Sequence, residues 1–274
     1  MTVTPATDVV TRQVRDGVAV LTLNRPDRLN AWIPAMQVRY FDLLEEAAAD
    51  PEVKAIVVTG AGRGFCAGAD MEALQAIGSD EGSAEDARGD DRPQTFPMTI
   101  PKPVIAAVNG PAAGLGLVMA LMCDIRIAAA GAKLTTAFAR RGLIAEHGIS
   151  WVLPRLVGSA HALDLLFSGR VLLAEEAAGM GLVNAVHPPE ELMDRTLEYA
   201  RELATWSSPT SMAIMKKQVY EHMERGAADA LEESNRLMGE SFGRPDFAEG
   251  VASFVEGRPP RFKGVSHTAG ASSR

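Results

Sequence analysis

Two short glycine-containing turns, each placed between a predicted strand and a predicted helix, constrain the fold of this chain more than any other feature. The first is FCAGAD at residues 65–70, and the second is NGPAAGLG at residues 109–116. Each follows a β-branched run, at residues 55–59 and 104–108, that predicts a strand. A strand followed by a tight turn and a helix start leaves backbone N–H groups unpaired. Two such turns that face each other would stabilise a negatively charged oxygen, as an oxyanion hole does.

The composition limits the class of protein. With 274 residues and 47% hydrophobic residues, the chain is long enough for a sizeable core, in one large domain or a domain with an appendage. Its net charge of -8 argues against nucleic acid as the main partner. Residues 1–8 lack the pattern of a signal peptide, and no apolar run approaches the roughly 20 residues of a membrane span. Cys66 and Cys123 show no metal-ligand spacing, so we expect a cytoplasmic protein without a metal site or disulfide.

Local patterns predict alternating strands and helices in the first two thirds of the chain. Asp16-Gly17 lies between two strand-like runs, residues 9–14 and 18–23, and predicts a β-hairpin. Helical spacing covers residues 33–49, and the apolar run at 115–122 predicts a buried helix. Further segments are predicted by the same criteria: strands at 124–128 and 182–186, and helices at 148–156 and 161–167.

The character of the sequence changes near residues 188–192. From there helical patterns continue to about Glu256, with a break at residues 207–209. The acid-rich segment 78–92 has little apolar content, which indicates a surface loop or, alternatively, a lid over a ligand. Residues 265–274 are rich in Gly and Ser and predict a disordered tail.

Several segments, in this order and spacing, resemble the crotonase (enoyl-CoA hydratase/isomerase) family over residues 8–264. They are LTLNRP at 21–26, NA at 30–31, the turn at 65–70, IPKPVIAAVNG at 100–110, CD at 123–124, residues 172–183 and FVEGR at 254–258. The resemblance implies an α/β fold, a crotonase-like spiral of ββα units carrying the CoA-thioester site at residues 1–190. A C-terminal helical trimerisation region at 191–264 would follow, giving a homo-oligomer, either a trimer or a dimer of trimers. It also implies acyl-CoA substrates, with coenzyme A as part of the substrate and no permanently bound cofactor.

The resemblance assigns the two oxyanion-hole donors to the backbone N–H groups of Ala69 and Leu115. Hydratases of the family have glycine where this chain has Leu115, but a main-chain donor does not depend on the side chain. Contacts with coenzyme A are assigned by the same resemblance to a further set of residues, some of which come from a neighbouring subunit in the family. In this chain they are Arg28, Ala67, Asp70, Phe262 and Lys263, with Arg25 a further candidate for the phosphates. For Asp70 a helix N-cap is the alternative role.

The two glutamates that hydratases of the family use for acid–base chemistry are missing. Alignment on Cys123-Asp124 puts their positions at Val118 and Phe138, neither of which exchanges protons. Glu146 matches the position of the single glutamate of some family isomerases. Beside Leu143, Ile144, Ile149 and Trp151 its carboxyl would be partly desolvated; the alternative is an electrostatic helix cap. We expect the adjacent His147 side chain to point away from it, in a structural or surface role.

These expectations favour isomerisation of a 3-enoyl-CoA to a 2-enoyl-CoA, with Ala69, Leu115 and Glu146 as the catalytic residues. Hydration by another arrangement, thioester or carbon–carbon hydrolysis, and CoA-thioester binding with little catalysis remain alternatives. A nicotinamide-dependent oxidoreductase is disfavoured because the third glycine of its fingerprint would fall at Met119. The sequence also lacks the G-x-S-x-G and H-E-x-x-H motifs of serine hydrolases and zinc proteases.

Overall fold

The computed structural model describes residues 9–72, 75 and 90–265. Within them, the larger sheet has six strands in the order β1-β2-β3-β4-β6-β9. Its members are β1 (Val10–Arg15), β2 (Val18–Leu23), β3 (Ala55–Gly60), β4 (Val104–Val108), β6 (Ile125–Ala129) and β9 (Ala185–His187). The first pair is antiparallel and the others are parallel. A smaller sheet joins β5 (Ala112–Ala113), β7 (Lys133–Thr135) and β8 (Leu172–Leu173) in the order β5-β7-β8.

The strands form where the sequence predicts them. Asp16 and Gly17 both have positive φ, 53° and 76°, as the two central residues of a type I′ hairpin turn require. Every residue of β3 and β4 is buried, which is typical of parallel strands covered on both faces. The predicted α/β class is confirmed.

Eight α-helices have both ends within the described residues. They are α1 (Pro34–Ala49), α2 (Leu115–Leu121), α3 (Ile149–Ser168), α4 (Ala174–Gly179), α5 (Leu192–Trp206), α6 (Pro209–His222), α7 (Ala227–Phe242) and α8 (Pro245–Glu256). Short 3₁₀ turns occupy Pro26–Arg28, Phe96–Thr99 and Ala139–Arg141. The helix predicted at 115–122 is buried from its second residue onward, as expected for an all-apolar run. None of these helices combines the length and the apolar character that a membrane crossing requires.

The two helices predicted at 148–156 and 161–167 are confirmed. They are the two parts of α3, which meet at Gly158, whose φ of 76° and ψ of 160° are not helical. One predicted segment differs from the structure. The strand expected at 182–186 begins only at Ala185. The Leu182 N–H instead donates to the Ala177 carbonyl at 2.9 Å and ends the preceding helical turn. Most of the predicted loop at 78–92 and of the predicted tail at 265–274 lies outside the described residues.

The helical part of the chain divides by its packing. Helix α5 lies on β3, β4 and β6 and buries Leu192, Thr196, Ala200 and Ala204. Helices α6 to α8 bury few side chains and leave large apolar ones exposed. The predicted division of the chain between residues 190 and 191 stays a prediction. Helix α5 follows that division and yet packs on the core.

A buried polar network attaches α6 to the sheet. Lys216 Nζ lies 2.8 Å from Asp124 Oδ2 and also donates to the Pro97 carbonyl at 2.9 Å. The same carboxylate accepts the Val104 N–H at 2.8 Å and the Tyr220 hydroxyl at 2.9 Å. Burial lowers the pKa of Lys216, and the Asp124 charge opposes that shift. Asp124 therefore has a structural role.

We predict that Lys216→Met lowers the free energy of unfolding by about 3 kcal/mol, because it leaves the Asp124 charge buried without its cation. Lys217→Met is the matched control, since the Lys216 side chain is 9% exposed and that of Lys217 is 70% exposed. Equilibrium unfolding in urea measures both variants. Equal midpoints for the two variants would contradict the assigned role of the network.

Candidate active site

Backbone hydrogen bonds join the two glycine-containing turns. The N–H groups of Phe65 and Cys66 both donate to the Pro111 carbonyl at 3.1 Å. The Ala113 N–H in turn donates to the Cys66 carbonyl at 3.0 Å. The segments that follow β3 and β4 are thus held side by side, as the sequence analysis required for an oxyanion hole.

The close approach of the turns depends on Gly68. Its φ is 97°, and a Cβ added there would lie 2.8 Å from the Ala113 carbonyl oxygen, closer than real Cβ contacts. The same Cβ would lie 3.9 Å from the Leu115 backbone nitrogen. Gly68 therefore brings the N–H of Ala69 and the N–H of Leu115 into one neighbourhood.

In the described part of the chain, the N–H groups of Ala69 and Leu115 are open, that is, free to donate to a ligand. The neighbouring groups are paired, since Trp32 N–H donates to the Gly68 carbonyl at 2.7 Å and Asp70 N–H donates to the Trp32 carbonyl at 2.9 Å. Between these two bonds the Ala69 N–H points away from Trp32. Leu115 is the first residue of α2, where an N–H has no intrahelical acceptor. No described acceptor receives either group, and Ala69 and Leu115 line the same cavity.

This cavity has a volume of about 480 Å³ and reaches from the two turns to the turn that precedes α3. Glu146 lies on that turn, where the Ile149 N–H donates to its carbonyl at 3.0 Å. The Glu146 side chain is 32% exposed. The apolar shield expected from Leu143 and Ile144 is incomplete, because both side chains are exposed in this chain, Ile144 to 80%.

His147 differs from the expectation that it points away from Glu146. Its Nε2 lies 3.2 Å from Glu146 Oε2, and both side chains line the cavity. The backbone explains this direction of the His147 side chain. His147 and Gly148 both have the left-handed backbone conformation, with φ of 55° and 80°. Consecutive side chains diverge in extended chain but not across such a turn. Burial lowers the pKa of His147, and the Glu146 charge opposes that shift.

The alignment on Cys123-Asp124 places the hydratase glutamates at two positions that are apolar and buried in this chain. Val118 is fully buried in α2, and Phe138 is buried with part of its ring on the cavity. Cys66 lies in the first turn, but burial raises its pKa to about 12, which keeps the thiol protonated. Among the described residues, no group of three or more His, Cys, Asp and Glu side chains is arranged to hold a metal ion.

Three of the residues predicted to contact coenzyme A line the cavity: Arg28, Ala67 and Asp70. The Asp70 carboxylate is already held by the Arg25 guanidinium, with two contacts of 3.0 Å, and it accepts the Glu72 N–H at 3.1 Å. That second bond agrees with the capping role considered for Asp70. Arg28 is exposed and pairs with Glu72 at 3.4 Å.

Phe262 and Lys263 do not line the cavity in this chain. Phe262 packs on α8, where a Cβ added at Gly250 would lie 3.8 Å from its ring. Lys263 is exposed. Sequence reasoning did not include Arg141, which the turn Ala139–Arg141 brings to the cavity. Nothing in its local sequence distinguishes it from the adjacent Arg140.

Known proteins share this architecture. The family model described as enoyl-CoA hydratase/isomerase matches residues 13–265. The 1,2-epoxyphenylacetyl-CoA isomerase of Escherichia coli K12 is 38% identical over 94% of this chain and 99% of its own length. The crystal structure of an enoyl-CoA hydratase from Mycobacterium marinum is 52% identical, with a TM-score of 0.68 over 80% of this chain and 100% of that one. An enoyl-CoA hydratase from Polaromonas sp. JS666 is 30% identical, with a TM-score of 0.86 over 92% and 99%.

A fold of ββα units with two facing glycine turns therefore defines the class of protein. The chain belongs to the enoyl-CoA hydratase/isomerase family, the crotonase family that its sequence resembles, and it is an enzyme of that family.

We predict that Gly68→Ala destabilises the protein by about 1–2 kcal/mol, because the added methyl group meets the Ala113 carbonyl at a left-handed position. Gly179→Ala is the control, since a Cβ there meets nothing within 4 Å and φ is not positive. Thermal unfolding of both variants measures the difference. A Gly68→Ala variant as stable as Gly179→Ala would contradict the tight contact between the turns.

Proposed function

We propose that this enzyme moves the double bond of a 3-enoyl-CoA to give a 2-enoyl-CoA. The observation that carries the proposal is the content of the cavity. It contains two open backbone donors and a carboxylate at Glu146, while Val118 and Phe138 occupy the positions of the hydratase glutamates. Proton transfer between two carbons of one substrate consumes no water, so one carboxylate is enough for it.

In the proposed reaction the thioester carbonyl accepts hydrogen bonds from the Ala69 and Leu115 N–H groups. Glu146 removes a proton from C2, and the electron pair of that C–H bond delocalises into the carbonyl as an enolate. The protonated Glu146 then returns the proton to C4, and the double bond forms between C2 and C3. Each backbone donor of an oxyanion hole typically lowers the barrier by about 2.7–4 kcal/mol.

The first alternative is hydration by another arrangement of acid and base, which the relatives named enoyl-CoA hydratase favour. The Escherichia coli relative is by name an isomerase, although of an epoxide thioester. Thioester or carbon–carbon hydrolysis, and binding without turnover, need the same oxyanion hole and are further alternatives.

Coenzyme A is part of the substrate in this proposal, and no permanent cofactor takes part. Arg28 and the Ala67–Asp70 segment would contact it from this chain. Phe262 and Lys263 would do so from a neighbouring subunit, since they lie away from the cavity of their own chain. The free thiols of Cys66 and Cys123 suit a reducing cytoplasm.

We further propose that the protein is a trimer or a dimer of trimers. An apolar groove of about 900 Å³ runs between α6, α7 and α8. Large apolar side chains there and at the end of α8 are exposed, and Phe254 is the extreme case at 87%. Apolar surface of this extent on a single chain is typical of a subunit interface.

We predict that Glu146→Gln lowers kcat for 3-hexenoyl-CoA by about 10²–10⁴-fold, because the amide cannot take the C2 proton. The absorbance of the conjugated enoyl thioester measures product formation. Glu198→Gln, an exposed change on α5, is the control and is expected to match the wild type. Turnover of 3-hexenoyl-CoA by Glu146→Gln at the wild-type rate would refute the proposed base.

We predict a molar mass of three or six times the 29.1 kDa chain by light scattering after size-exclusion chromatography. Phe254→Asp is expected to reduce the assembly to smaller species, because it places a charge on the proposed interface. A wild-type protein that elutes as a monomer would exclude the proposed assembly.

A further inference from the structure

The imidazole of His147 lies against the Glu146 carboxylate inside the cavity. His147 Nε2 lies 3.2 Å from Glu146 Oε2. The Glu146 carboxylate is the proposed base, so its partner affects which oxygen is free to react. The inference that follows therefore rests on the proposed function of Glu146.

The contact depends on an unfavourable backbone conformation. A non-glycine residue in the left-handed region costs about 1–2 kcal/mol, and His147 is held there with φ of 55°. The turn is fixed on its other side by Gly148, where an added Cβ would meet Thr95 Cγ2 at 3.2 Å. Strain of this kind at a cavity points to a role for the side chain that the strain places there.

The protonation state of His147 suits a hydrogen-bond donor. Burial favours the neutral imidazole and lowers its pKa, while the Glu146 charge acts in the opposite direction. A neutral imidazole carries one N–H, and only the tautomer with the proton on Nε2 can donate to Glu146. The other charged groups on this cavity are Arg28, Asp70, Glu72 and Arg141. Asp70 is paired with Arg25, and Arg28 is paired with Glu72.

We propose that His147 is a positioning residue for the catalytic carboxylate. Its Nε2–H donates to Glu146 Oε2, which holds the carboxylate in one orientation and leaves Oε1 to take the proton from C2 and return it to C4.

Two substitutions separate the hydrogen bond from the backbone. His147→Gln keeps an N–H donor at the reach of Nε2, whereas His147→Asn tolerates the left-handed backbone but is too short to donate to Oε2. Ile144→Asn, at an exposed neighbour outside the cavity lining, is the matched control. The readouts are kcat and KM for 3-hexenoyl-CoA between pH 5 and pH 9, together with the melting temperature.

We expect His147→Asn to lower kcat about tenfold with little change in KM, since a hydrogen bond to a charged group is lost. His147→Gln should stay within about threefold of the wild type, and Ile144→Asn should be unchanged.

Two results would overturn the inference. One is a His147→Asn enzyme with wild-type kcat. The other is equal losses in the Asn and Gln variants that follow a fall in melting temperature, which would mean a purely structural role. Glu146→Gln in the same series separates the two proposals. If it is inactive while the His147 variants are normal, only the positioning role fails, and if it is fully active, the proposed function fails first.

Discussion

The backbone contact between the two glycine turns is the constraint on which the site depends. Phe65 and Cys66 are bonded to Pro111, and a Cβ at Gly116 would come within 2.1 Å of the Cys66 carbonyl oxygen. The turns and the start of α2 therefore form one unit with no room for larger residues. Because the donors are main-chain groups, the side chain at residue 115 is free to vary, which explains how leucine is tolerated where hydratases have glycine.

Under the proposed function a few side chains select the chemistry. The apolar residues Val118 and Phe138, which align with the hydratase glutamates, exclude the two-carboxylate arrangement, and Glu146 supplies a carboxylate from the turn before α3. The same oxyanion hole serves either reaction, so the identity and position of the acid–base groups decide between them. In the proposed scheme His147 orients the one carboxylate that remains, so a strained backbone supports a site with few side chains.

Sequence patterns predicted the elements whose structure depends mainly on residues close to each other in the chain. The Asp16-Gly17 hairpin and the buried α2 were predicted because turn residues and apolar patterns act over short distances. The direction of His147 was predicted wrongly, since no residue type indicates a left-handed histidine. The packing of Phe262 on α8 depends on tertiary contacts that no short window contains. The assignment of Ala69, Leu115 and Glu146 came from resemblance, and the structure brings them to one cavity.

The most direct test of the account is the mass of the product formed from 3-hexenoyl-CoA by the wild-type enzyme. Isomerisation rearranges the substrate, so mass spectrometry should find a conjugated product of unchanged mass. A product heavier by one water would mean hydration, and release of free coenzyme A would mean hydrolysis. Either result as the main outcome would contradict the claim that Glu146 carries out a proton transfer within one substrate.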